Sequence, residues 1–87
     1  MYPVDTPQQL RTMLRSLRQA RGLTQAQLGR MLGVSQKRIA RIEAAPEVTA
    51  FDQIARMVSA MGGRLAIDDS GALRASEPRP ADDAATW

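Results

Sequence analysis

The sequence contains no cysteine and no histidine. That excludes disulfides, thiol chemistry, imidazole acid–base catalysis, and zinc or haem sites of the usual ligand type, so no cofactor and no metal is expected. Aromatic side chains are nearly absent: Tyr2, Phe51 and Trp87 are the three among 87 residues. The core must therefore be aliphatic, and so small a chain is expected to associate with itself or with a partner. No apolar run approaches the ~18 residues of a bilayer span, and the start lacks the basic and apolar pattern of a secretory signal. The expectation is one small, reduced, soluble domain of the cytoplasm, with no membrane partner.

Lysine is almost missing as well. Eleven of the twelve basic residues are arginine and the other is Lys37. Residues 1–43 hold eight bases against two acids, a balance of +6, while residues 44–87 hold four bases against seven acids, a balance of −3. A basic half joined to an acidic half implies an anion-binding module with a different task at its other end.

Helix signals follow in quick succession. Thr6, Pro7 and Gln9 form a capping box with proline at the first helical position, and Leu10, Met13, Leu14 and Leu17 make an amphipathic stripe that Arg21-Gly22 ends. Thr24 and Gln27 form a second capping box for a short helix whose face is Leu28, Met31 and Leu32, stopped by Gly33. Ser35 caps a third segment that buries Ile39 and Ile42. Two short helices joined through Gly33 with almost no loop must cross steeply, the geometry of a helix-turn-helix. Beyond Pro46, Thr49 is placed to cap a fourth helix with the stripe Phe51, Ile54, Ala55, Val58 and Met61.

Arg64–Ile67 then alternates as a half-buried strand, Asp68–Gly71 has turn chemistry, and Ala72–Arg74 is a candidate returning strand. A lone hairpin is marginal in water, so these residues are expected to pair across a dimer or to dock on the fourth helix. Ala75–Trp87 combines prolines, charges and small residues, the composition of a disordered tail. The chain divides into a DNA-binding segment 1–63, a strand and dimerisation element 64–74, and a tail 75–87.

The spacing Leu23-Thr24-Gln25-Ala26-Gln27-Leu28-Gly29, Leu32-Gly33-Val34-Ser35-Gln36 and Ile39-Ala40-Arg41-Ile42-Glu43 resembles the Cro/C1-type (XRE) helix-turn-helix family over about residues 10–61. The fold expected is mainly α: a four- to five-helix domain with a short C-terminal strand. On the wheel of the third helix, Lys37, Ala40 and Arg41 point away from Ile39 and Ile42, with Gln36 at the exposed N-terminal end and Arg38 on the flank. A major groove admits one such helix. Gln36 suits adenine, Lys37 and Arg41 suit guanine, and Arg38 suits a base edge or a phosphate. Thr24, Gln25 and Ser35 lie at helix N-termini, which favour phosphate. The resemblance assigns backbone contact to Gln25 and pairs Arg18 with Glu43 as a structural bridge. It also marks a departure: Ala44-Ala45 stands where the family usually has Asn-Gly, a backbone-contacting pair. Arg11, Arg15 and Arg21 are weaker phosphate candidates, equally suited to plain solvated roles.

The order of elements is similar to one subset, the HipB-type antitoxins, dimeric repressors paired with HipA-type kinase toxins. The shared points are the extended start, the loop Ala44–Val48, a strand directly after the fourth helix, and a tail carrying Trp87. That resemblance implies a homodimer sharing Leu65 and Ile67, double-stranded palindromic operator DNA, and a kinase toxin as partner. Trp87 has three readings: a partner anchor, a side chain folded back on its own domain, or an incidental end. A stand-alone repressor without a toxin remains the alternative. The scattered carboxylates, with no nucleophile beside a base, point away from an enzyme.

Overall fold

The computed structural model describes residues 2–67 and 73–76. A short strand β1 (Tyr2–Pro3) leads into helices α1 (Pro7–Ala20), α2 (Gln25–Leu32) and α3 (Gln36–Ala44). A single 3-10 turn (Pro46–Val48) connects to α4 (Phe51–Ala60), and the strands β2 (Arg64–Ile67) and β3 (Leu73–Ser76) follow. Among the described residues the fold is mainly helical, with four α-helices and a short C-terminal strand pair. No helix among the described residues is long and apolar enough to cross a membrane.

Local chemistry sets the helix ends. The Thr6 hydroxyl accepts from the Gln9 N–H at 3.1 Å while the Gln9 side chain accepts from the Thr6 N–H at 3.1 Å. Thr24 and Gln27 repeat the box at 3.0 and 2.8 Å, and Ser35 Oγ accepts from the Arg38 N–H at 3.0 Å. Each box satisfies donors that a helix start otherwise leaves orphaned. Thr49 behaves differently from expectation. It closes the 3-10 turn, its N–H bonding to the Pro46 carbonyl, and its hydroxyl folds back to donate to the Ala45 carbonyl at 3.2 Å. The cap position of α4 passes to Ala50, which offers no side-chain bond.

The core is aliphatic. Met13, Leu14 and Leu17 of α1 meet Leu28 of α2, Ile39 and Ile42 of α3, and Ile54, Met57 and Val58 of α4, with Met61 beyond it. Burying each such side chain contributes about 1.5–3 kcal/mol before entropic costs. Two positions of the expected stripes fall outside it. Met31 is 55% exposed, because Gly29 carries the turn backbone and rotates the buried arc of α2 toward itself, away from Met31. Phe51 is 64% exposed, because it stands on the first turn of α4 and overhangs the core's edge. The buried stripe of α4 runs Ile54, Met57, Val58 and on to Met61, so it includes Met57, which the expected stripe lacked, and leaves Ala55 half-buried on its flank.

The strands form one antiparallel sheet in the order β1-β3-β2. Leu65 pairs with Ala75 and Ile67 with Leu73, while Tyr2 pairs with Ala75 from the other side. The candidate returning strand is found, with Leu73 and Arg74 in β3; the pairing expected across a dimer is replaced by one within the chain, and the third strand that a hairpin needs comes from the N-terminus. Ala75 and Ser76 lie in β3, not in a tail. Leu65, expected at a dimer seam, packs half-buried against its own core, whereas Ile67 is 74% exposed. The remainder of the expected tail, with Trp87, lies outside the described residues.

Candidate nucleic-acid interface

Two glycines position α3 against α2. Gly33 takes φ +74°, a left-handed conformation that costs other residues strain, and the Val34 N–H closes onto the Gly29 carbonyl at 2.8 Å. At Gly29 the constraint is space. A Cβ there would lie 2.6 Å from the Val34 carbonyl oxygen and 3.2 Å from Ser35 backbone atoms. The close approach at Gly29 is thus with the turn backbone itself.

A hydrogen-bonded chain runs from the interior to the tip of α3. Arg18 Nε donates to Glu43 Oε2 at 2.6 Å and its Nη2 donates to Oε1 at 3.2 Å, a forked pair that joins α1 to α3. The third guanidinium nitrogen donates to the Leu23 carbonyl at 2.9 Å. Glu43 is 2% exposed, so its charge depends on these partners. Gln25 Nε2 also donates to Glu43 Oε1, at 3.1 Å, and Gln36 Nε2 donates to Gln25 Oε1 at 2.7 Å. A carboxylate only accepts, so the order of donors is forced outward from Glu43. Gln36 is left presenting its Oε1 and one remaining N–H, an acceptor beside a donor.

The outer face of α3 carries Gln36, Lys37 and Arg41, all exposed, opposite the buried Ile39 and Ile42. Arg38 is half-buried and turned aside, with Nη2 donating to Gln53 Oε1 on α4 at 3.4 Å. Thr24 and Ser35 are exposed, with each side-chain oxygen engaged as a helix cap. Gln25 is half-buried between Glu43 and Gln36, both ends of its amide in use. Sequence reasoning assigned Gln25 to phosphate and missed this coupling.

Two of the weaker arginine candidates have structural partners. Arg11 donates to the Ala44 carbonyl at the C-terminus of α3, at 3.5 Å, and lies 3.9 Å from Glu47. Arg21 donates to the Met61 carbonyl at the C-terminus of α4, at 2.7 Å. Both place positive charge where a helix ends in unsatisfied carbonyls. Arg15 is exposed on α1.

The model of the helix-turn-helix domain family matches residues 9–65, from the first turn of α1 to the middle of β2. The chain belongs to the helix-turn-helix domain family. No curated protein and no solved structure matches it. The helix-turn-helix comprises α2, the Gly33–Ser35 turn and α3, with α1 and α4 as its support. The family reading makes the chain a DNA-binding regulator, with α3 in the position of the recognition helix.

Proposed function

We propose that this helix-turn-helix protein is a sequence-specific transcriptional repressor that binds palindromic operators as a homodimer and autoregulates its operon. It acts there as the antitoxin that neutralises a HipA-type kinase toxin. The observation that carries the DNA reading is the exposed face of Gln36, Lys37 and Arg41 on α3, anchored from behind through Gln25 and Glu43. The acceptor and donor left on Gln36 match adenine N6 and N7, while Lys37 and Arg41 suit guanine. Arg38 serves from the flank, and Thr24, Gln25 and Ser35 bring the N-terminal ends of α2 and α3 to phosphates. These are binding roles, not catalytic ones.

The dimer reading is supported by β2, the outer strand of its sheet, and by Ile67 exposed upon it. The outer strand of a sheet is a template for a second chain. A palindromic operator with half-sites one turn apart requires the two recognition helices of such a dimer to stand ~34 Å apart. The antitoxin reading is supported by the resemblance in element order: α4 passes through Gly62 directly into β2, where many Cro/C1-type proteins have a fifth helix. Trp87 is its partner anchor, since buried tryptophan is a frequent interface hot spot.

A pull-down from the native cell, after nuclease treatment, tests this reading with the full chain and with a chain lacking Trp87. The expected result is one kinase-sized protein captured by the full chain and depleted by the truncation. Equal capture removes Trp87 from the anchor role. No capture by either leaves a stand-alone repressor.

A further inference from the structure

An apolar groove of about 200 Å³ opens between the sheet and the helices, away from the outer face of α3. Its apolar walls are Val4, Leu10, Pro46, Phe51, Ile54 and Leu65, and Glu47 and Thr49 complete the lining. Large apolar side chains are exposed at its borders: Phe51 at 64%, Val48 of the 3-10 turn at 81%, and Ile67 on the strand of Leu65 at 74%. A contiguous apolar patch on so small a domain marks a surface that is covered in use.

The chain itself supplies a cover. Ala75 of β3 pairs with Leu65, a wall of the groove, so Ser76, the last residue of β3, stands one position from that pairing. Eleven residues, 77–87, follow Ser76, and they contain one large apolar side chain, Trp87. Fully extended they span about 36 Å, against a longest molecular dimension of 36 Å, so returning to the groove demands no strain. An apolar cavity of roughly 150 Å³ takes up a benzene-sized ring, so this groove has room for an indole. A second cavity of similar volume is half walled by Gln8, Gln9 and Thr12 and is the poorer match.

We infer that residues 77–87 fold back on their own domain and that Trp87 occupies the groove walled by Leu10, Phe51 and Leu65. The docked indole covers apolar surface in the isolated protein, and a partner that uses Trp87 must first withdraw it. The inference does not depend on the identity of any partner.

Trp87 is the single tryptophan of the chain, so its fluorescence reports on this site alone. The experiment is acrylamide quenching of the full-length protein, native and in denaturant, across a dilution series, with Phe51→Glu as the variant. The expected quenching constant is several-fold lower in the native protein than in denaturant and is unchanged on dilution. In Phe51→Glu it rises toward the denatured value while the helical circular dichroism stays the same. A native constant equal to the denatured one overturns the inference. So does protection that disappears on dilution, which assigns the groove to a second copy, or protection that survives in Phe51→Glu. The dilution series and the native quenching stand whether or not the variant folds.

Discussion

Arg18 on α1 and Glu43 on α3 meet at 2.6 Å in the interior, and from this carboxylate a hydrogen-bonded chain runs through Gln25 to Gln36 at the tip of the recognition helix. The pair locks α3 to the first helix and forces the direction in which Gln25 and Gln36 hold their amides. A buried ion pair is a poor source of net stability, but breaking one strands a charge.

Glu43→Ala is therefore expected to destabilise the domain by about 3–5 kcal/mol, leaving the Arg18 guanidinium charge in the interior without its counter-ion and with the Leu23 carbonyl as its remaining acceptor. Urea unfolding followed by circular dichroism measures this. A loss below about 1 kcal/mol would show that Arg18 finds water instead.

At Gly29 the added methyl of Gly29→Ala meets a carbonyl oxygen that cannot swing aside. The cost expected is about 1–3 kcal/mol, as for overpacking in a rigid site. Thermal unfolding reads it directly, and DNA affinity should fall with it because the angle between α2 and α3 must open. A neutral substitution would mean that the turn is more pliable than its hydrogen bonds imply.

Gln25 and Gln36 should behave as one unit. In a double-mutant cycle on operator binding, Gln25→Ala and Gln36→Ala are expected to be non-additive by roughly 0.5–3 kcal/mol, since losing either releases the other. Additive effects would separate the two residues functionally.

Arg21→Ala removes the bond to the Met61 carbonyl, 40 positions away. It should cost roughly 1 kcal/mol of stability while leaving the salt dependence of DNA binding unchanged. A shallower salt slope would return Arg21 to the phosphate contacts.

How far the sequence speaks depends on the range of the interaction. Thr6 with Gln9 and Thr24 with Gln27 are three residues apart, so their boxes follow from local spacing alone, as does the left-handed turn at Gly33. Arg18 and Glu43 are 25 apart and entered through family resemblance, not periodicity. The pairing of Tyr2 with Ala75 has no local signature: Pro3 weakens one strand and small residues the other. Thr49 looked like a cap because spacing does not reveal that a 3-10 turn will claim its hydroxyl. Arg11 and Arg21 read as surface charge because the carbonyls they reach are brought close only by the tertiary fold.

The central claim is that the outer face of α3 reads base sequence, and Arg41→Ala tests it most directly. The measurement is the affinity of wild type and variant, at one fixed salt concentration, for promoter DNA of the protein's own operon and for a scrambled duplex. The account predicts that wild type prefers the promoter and that Arg41→Ala weakens promoter binding by about 1–3 kcal/mol while scarcely changing binding to the scrambled duplex. Equal losses on both duplexes would contradict it, reducing Arg41 to a phosphate contact.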